Sequence, residues 1–274
     1  MSIIETIRER RSVRTYDGQA LRAEHVELIT GYIAGLQAPF GVKARISLIH
    51  TGGDASPVKL GTYGWISGAR DYLALIYEEG PLAREGAAYL FEQVILYCTR
   101  LGLGTCWLGG SFSRKDFGRQ TAPSPGEKLA IVSPAGYASE RKRFFETYVV
   151  GAEKHHRTRK PFGANFFHGN FSTPLTEEAA GVYALPLEMV RLAPSANNSQ
   201  SWRVTLDGDV LHFYRTFSYG FSAIDLGIAL CHFEMTCREK GIAGRFEVSG
   251  SAPVEKAQYA VSWVQDSLIH PKPQ

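Results

Sequence analysis

The feature that most narrows the possible folds of this chain is a repeat. A helix-to-strand junction with Ala38-Pro39 at its turn recurs with Ala193-Pro194, at an offset of 193 − 38 = 155 residues. The helix before Gly102-Leu103-Gly104 has a counterpart in residues 224–240, before Gly241-Ile242-Ala243-Gly244, at an offset of 241 − 102 = 139. Two landmarks in the same order, at offsets that differ by 155 − 139 = 16 residues, point to an internal duplication followed by loop changes. Coincidence between two α+β halves is the alternative. Duplication predicts an α+β fold of two related halves about a pseudo-two-fold axis, like a dimer fused into one chain. Residues 1–170 would form the first half and residues 171–274 the second.

Along the chain, Ser2 and Glu5 make a capping-box pattern for a helix that carries Ile3, Ile4 and Ile7 on one face. That helix runs out in Arg8-Glu9-Arg10-Arg11, where cations complement the helix dipole. Residues 12–16 read as extended, and residues 21–36 as a second helix. Strands are expected at residues 44–49, 71–77 and 129–132, the second of them deeply buried. A helix over residues 87–100 leads into Leu101-Gly102-Leu103-Gly104-Thr105-Cys106-Trp107-Leu108-Gly109-Gly110. Four glycines in nine residues permit a close turn and leave backbone N–H groups uncovered. They follow a helix rather than a strand and contain no GxGxxG, so they are not a dinucleotide fingerprint.

The junction of the second half is the richer in polar groups. Proline stops a helix near Ala193, and Ser195-Ala196-Asn197-Asn198-Ser199-Gln200-Ser201 precedes a strand that starts at Trp202. Such a loop is either an ordinary turn, where Ser and Asn bond locally, or a place to hold a polar ring system. Arg10, Ser12 and Arg14 likewise form either a solvated basic edge or a donor cluster suited to phosphate or an anionic ring. Lys154-His155-His156-Arg157-Thr158-Arg159-Lys160 is the densest positive run, a solvated loop or one that closes over an anion.

Composition excludes several classes. A net charge of +3 gives no strong attraction to nucleic acid or membranes, and 44% hydrophobic residues argue against general disorder. Cys98, Cys106, Cys231 and Cys237 show no metal-ligand spacing and read as buried thiols in a reducing compartment. No apolar run is long enough for a membrane span and no signal peptide is recognisable, so a cytoplasmic location is expected.

Together, Arg10-Arg11-Ser12-Val13-Arg14, the glycine segment, Arg157-Thr158-Arg159-Lys160-Pro161 and the loop Ala193-Pro194-Ser195-Ala196-Asn197-Asn198-Ser199-Gln200-Ser201-Trp202-Arg203 resemble the FMN-dependent nitroreductase family. The loop is similar to that family's A-P-S-x-x-N-x-Q-P-W-R, with Ser201 in place of proline. The order departs from the family's usual one. Where an ordinary member has this loop, the first half has Ala38-Pro39-Phe40-Gly41-Val42-Lys43-Ala44-Arg45, without the Ser, Asn and Gln. The intact loop lies in the second half, which lacks an arginine motif and a basic tail. The chain therefore resembles a single-chain pseudo-dimer of this family, monomeric, with one complete flavin site and one decayed site.

The resemblance implies roles. FMN is the cofactor and NADH or NADPH the donor, with a nitroaromatic or quinone as a typical electron-poor acceptor. Arg10, Ser12, Arg157 and Arg159 would hold the FMN phosphate, Arg11 would be a further cofactor-binding residue, and Arg14 would lie toward the pyrimidine edge of the ring. Pro194, Ser195, Ala196, Asn198 and Gln200 would lie along the flavin, with Asn197 one position out of register. Backbone N–H groups at Leu108, Gly109 and Gly110 would face flavin N5. No acid–base residue and no metal are required, because the chemistry belongs to the cofactor. Phe40, Phe112, Phe166, Phe167 and Tyr219 could line an acceptor pocket or fill the core. A flavin-binding protein without turnover, acting as sensor or reservoir, is the alternative function.

Overall fold

The structure, a computed structural model, describes residues 1–50, 60–140, 158–216, 220–250, 252 and 256–266. The chain divides into two compact units, Met1–Thr158 and Arg159–Gln274.

The first unit is built on a four-stranded antiparallel sheet. Its strands are β1 (Ala44–Ile49), β2 (Asp71–Glu78), β3 (Gly104–Thr105) and β4 (Glu127–Gly136), in the order β1-β2-β4-β3. Helices α3 (Ala83–Arg100) and α4 (Arg114–Thr121) pack on its strands, and α1 (Ile3–Glu9) and α2 (Ala23–Ala34) pack on α3. Every residue of β2 except Glu78 is buried, as expected of a strand covered on both faces. On one of those faces Tyr72, Ala74 and Ile76 join Val13, Tyr16, Phe112 and Phe117 in a single apolar cluster. Tyr32 of α2 stacks on Tyr97 of α3 at 4.1 Å between ring centroids.

The second unit holds a five-stranded sheet of order β5-β6-β7-β9-β8. Its strands are β5 (Phe166–His168), β6 (Trp202–Asp207), β7 (Val210–Arg215), β8 (Gly244–Glu247) and β9 (Gln258–Gln265). The short α5 (Glu177–Ala180) precedes α6 (Ala184–Leu192), and α7 (Ser222–Glu239) follows β7. Edge-to-face contacts join Phe233 of α7 to Phe213 at 5.2 Å and to Trp263 at 5.3 Å. Residues 159–170, assigned to the first half in the sequence reading, belong here instead, because β5 pairs in parallel with β6.

Both units use the same local devices. The β1-β2-β4-β3 order of the first has its counterpart in β6-β7-β9-β8 of the second. Helices α3 and α7 are each 18 residues long. Each ends at a left-handed glycine, Gly102 at φ 76° and Gly241 at φ 70°. The N–H of Leu103 then returns to the Cys98 carbonyl, and that of Ile242 to the Cys237 carbonyl, both at 2.9 Å. Cys98, Cys106, Cys231 and Cys237 are all buried thiols outside any disulfide, as the sequence suggested. Among the described residues no helix is long and apolar enough to cross a membrane.

Candidate functional site

In the first unit the candidate residues grow out of the end of α1. Its capping box is formed, with the Ser2 Oγ accepting from the Glu5 N–H and the Glu5 carboxylate accepting from the Ser2 N–H. Arg10 caps the other end and turns the chain out at ψ 126°. Residue 12 then bridges Thr105 in parallel, and the Val13 N–H donates to the Thr105 carbonyl at 2.8 Å. Further along, the Ser67 N–H donates to Arg14 O and the Tyr16 N–H to Ser67 O. The arginine motif is thus stitched as an extended segment beside the glycine segment. A Cβ at Gly104 would lie 2.8 Å from the Val13 Cβ, so this approach requires glycine there.

Alternation along this segment buries Val13 in the apolar cluster and leaves Ser12 and Arg14 half-buried on the other side, while Arg11 is exposed. The Arg10 guanidinium is the notable group. Its Nε and Nη1 are buried and have no hydrogen-bond partner among the described residues. Burial lowers its pKa, and the nearby Glu92 carboxylate pushes it back up. Glu92 is fully buried on α3 and accepts from the Trp107 indole N–H at 2.8 Å. A buried donor without a partner is costly, on the order of 1–3 kcal/mol and more for a charged group, so two on one arginine suit an anionic ligand.

The glycine segment differs from expectation in one respect. The N–H of Leu108 donates to the Val132 carbonyl at 2.9 Å, and the Leu108 carbonyl accepts from the Val132 N–H in return. Leu108 is therefore held by the sheet and offers no backbone donor. Gly109 and Gly110 make no such bond among the described residues, and of the expected donors they alone stay open.

In the second unit the loop after α6 is tightly specified. Asn197, Asn198 and Gln200 all take positive φ, at 51°, 55° and 47°. Asn tolerates this region, whereas for glutamine it is costly and must be imposed by neighbours. The imposition is visible at Gln200. Its N–H donates to Ser195 Oγ at 2.9 Å, its Oε1 accepts from the Lys160 N–H at 2.8 Å, and its Nε2 donates to the Asn198 carbonyl at 3.2 Å. Arg159 donates from Nη1 to Asn198 Oδ1 at 3.1 Å and from Nη2 to the Leu192 carbonyl at 3.0 Å. Lys160 Nζ reaches the Ser199 carbonyl at 2.7 Å. The basic segment so meets the loop and the negative end of α6. Arg157 lies outside the described residues, as does Tyr219.

Sequence reasoning missed the residue on which this loop is built. Asp225, in the first turn of α7 and almost wholly buried, accepts from the Ala196 N–H at 2.8 Å through Oδ1. Its Oδ2 accepts from Ser201 Oγ at 2.7 Å and from Ser199 Oγ at 3.2 Å. Ser201, which stands where the resemblance has proline, is thereby explained. The signal was present: Ala223-Ile224-Asp225-Leu226-Gly227-Ile228 carries one acid in an apolar helical run, and such an acid must be paired if buried. Glu92, within Leu90-Phe91-Glu92-Gln93-Val94, gives the same signal. Of the aromatics named as pocket candidates, Phe112, Phe166 and Phe167 are buried in the cores and Phe40 is half-buried in its turn.

A family model described as "Putative TM nitroreductase" matches residues 2–237. The chain belongs to this nitroreductase family. Among solved structures, a putative nitroreductase from Thermotoga maritima is similar at 22% identity with a TM-score of 0.61, over 96% of this chain and 94% of that one. It shares the α+β nitroreductase-like fold over nearly the full length. A nitroreductase family protein from Clostridium difficile matches at 18% identity and a TM-score of 0.43, over 59% of this chain and 94% of its own. A nitroreductase with bound FMN from Bacteroides fragilis matches at 19% identity and a TM-score of 0.41, over 53% of this chain and 92% of its own. No curated protein matches the sequence.

Proposed function

We propose that this nitroreductase-family protein is an FMN-dependent oxidoreductase that passes electrons from NADH or NADPH to an electron-poor acceptor such as a nitroaromatic or a quinone. The observation that carries the reading is the Arg10 guanidinium, with two buried donors that have no partner among the described residues, inside the family's arginine motif. Arg10 and Ser12, with Arg157, would hold the FMN phosphate, because a guanidinium bonds phosphate oxygens in a fork and stays charged. Arg14 would place a fixed cation by the pyrimidine edge and favour the electron-rich form of the ring. Gly109 and Gly110 would supply backbone donors, and Pro194, Ser195, Ala196 and Asn198 a polar wall. Arg159 and Gln200 brace that wall through the bonds described above. When bound, FMN supplies the hydride and electron chemistry, and the protein supplies position and charge.

The matching strand orders and the identical helix ends support descent of the two halves from one ancestral unit. On that reading the chain is a monomeric pseudo-dimer with one flavin per chain, since only one half carries the polar loop. The deciding measurement is the absorption spectrum of the purified protein after incubation with FMN and desalting. A flavin band at one equivalent, lost in Arg10→Met, is the expected result, with a quinone-dependent oxidation of NADH or NADPH alongside. A colourless protein that FMN does not stabilise against heat would refute it. Flavin bound without turnover would favour a reservoir or sensor instead.

A further inference from the structure

We propose that Asp225 is the positioning residue for the loop of residues 194–201, and that its negative charge is what holds that loop in its flavin-binding shape. The role of the loop rests on the flavin reading above. The hold of Asp225 on the loop does not.

Three donors converge on one buried carboxylate: a backbone amide on Oδ1, and the Ser199 and Ser201 hydroxyls on Oδ2. A carboxylate is acceptor-only and can satisfy all three. A carboxylic acid must donate from one oxygen, so protonation takes away part of the acceptor capacity on which the three donors depend. Elsewhere the loop is tied by Arg159 at Asn198, by Lys160 at the Ser199 carbonyl and by the Thr216 N–H at the Ser201 carbonyl, and its run of positive φ angles needs such outside support.

The first unit shows what the same helix position does without the charge. Asp225 is the fourth residue of α7, and the fourth residue of α3 is Gly86. The Asp225 N–H donates to Phe221 O and the Gly86 N–H to Leu82 O, the same i→i−4 bond in each helix. A Cβ at Gly86 would lie 2.8 Å from Val42 Cγ2 and 2.9 Å from the Pro39 carbonyl. There the Pro39 carbonyl and the Val42 side chain pack directly on the helix backbone at Gly86. The polar loop and the acid occur together in one unit and are absent together from the other.

No ion pair involves Asp225 among the described residues, and the charged groups on the elements around it are engaged elsewhere. Arg191 of α6 pairs with Glu188. Arg203 of β6 bonds Asn165 and the Trp202 carbonyl, and Arg215 of β7 bonds Gln258. His232 of α7 meets the Met189 carbonyl, while Arg159 binds Asn198 and Lys160 the Ser199 carbonyl. Burial pushes the acid up to about 6, and the Ala196, Ser201 and Ser199 bonds hold it down from going further. Loop order should therefore be sensitive to mildly acidic pH.

The test combines amide hydrogen exchange of the 194–201 segment in the flavin-free full chain with FMN titration, each at pH 8 and pH 5. In the wild type, protection corrected for intrinsic rates should fall about tenfold or more from pH 8 to pH 5, and FMN affinity should fall with it. Asp225→Asn should show the acid-like state at both pH values, so its profile is flat. Ser199→Ala combined with Ser201→Ala keeps the acid but removes two donors, and should move the wild-type midpoint to higher pH. Should Asp225→Asn fail to fold, this second variant decides alone. Equal protection in wild type and Asp225→Asn, or an unmoved midpoint in the double variant, would overturn the proposal. A pH-dependent loop in a protein that binds no FMN would sink the flavin reading and leave the hold of Asp225 on the loop standing.

Discussion

Gly104→Ala probes how the arginine motif is held. The added Cβ would sit 2.8 Å from Val13 Cβ and 2.9 Å from each of its two γ carbons. Ordinary contact begins at 3.4 Å, so the two segments must part by at least 3.4 − 2.8 = 0.6 Å. A β-branched valine cannot turn all three carbons away by changing rotamer. Parting by that amount stretches the bond from the Val13 N–H to Thr105 O from 2.8 Å to 2.8 + 0.6 = 3.4 Å, beyond the range in which such bonds are strong. Losing most of one backbone hydrogen bond and overpacking one core contact together cost about 2–4 kcal/mol. Urea unfolding should show that loss as a lower midpoint at unchanged slope. FMN titration should show weaker binding, because Arg10 and Ser12 move with the displaced segment. Val13→Ala removes two of the three close carbons, so the double variant should be about 1 kcal/mol or more better than the sum of the single ones. A neutral Gly104→Ala, or strict additivity with Val13→Ala, would refute the reasoning.

Asp225→Asn gives a second handle, this time on global stability. The folded-state pKa of Asp225 is raised from 3.8 to about 6, so the folded protein binds more protons than the unfolded one between those values. The stabilisation from protonation is then present at low pH and lost as pH rises through 6. Wild type should lose about 1.4 kcal/mol relative to Asp225→Asn between pH 5 and pH 8, as read by denaturant melts at each pH. A pH-independent difference between the two would show that Asp225 titrates normally. Arg159→Ala releases Asn198 and the Leu192 carbonyl. It should destabilise the protein by roughly 1–3 kcal/mol even without flavin, and unchanged melting would restrict Arg159 to ligand contact. Arg14→Ala should lower the flavin reduction potential more than it weakens flavin binding. Equal effects on both, by spectroelectrochemistry and titration, would remove its assignment to the ring edge.

Much of the fold was legible because the deciding forces are local. The strand at residues 44–49 coincides with β1, and the capping box and the proline-terminated α6 lie where short-range chemistry puts them. The strands β7 and β9 went unread. Val210-Leu211-His212-Phe213-Tyr214 and Tyr259-Ala260-Val261-Ser262-Trp263 are short apolar runs with polar interruptions, whose meaning comes from pairing across the sheet. His212, for example, is buried because its Nδ1 meets Ser262 Oγ at 2.7 Å. In the candidate site, the motif residues were proposed from their pattern, but the residues that support them in the structure were not. Glu92 and Asp225 act on partners 15 to 29 residues away, and no motif spacing encodes that. Leu108 was misjudged for the same reason, since only the sheet reveals that its N–H is taken.

Gly86 and Asp225 have a consequence for the history of the two halves. If both descend from one unit, converting either loop into the other requires at least two coordinated changes. An acid placed at residue 86 before the turn is rebuilt meets Val42 and the Pro39 carbonyl at under 3 Å. Serine and asparagine placed in that turn first would find no carboxylate at residue 86 to accept from them. On that descent each single step would be unfavourable alone, and a loss of the polar loop from the first half would be self-locking. Asymmetry in such a chain persists without selection for it, because the route back runs through a less stable protein.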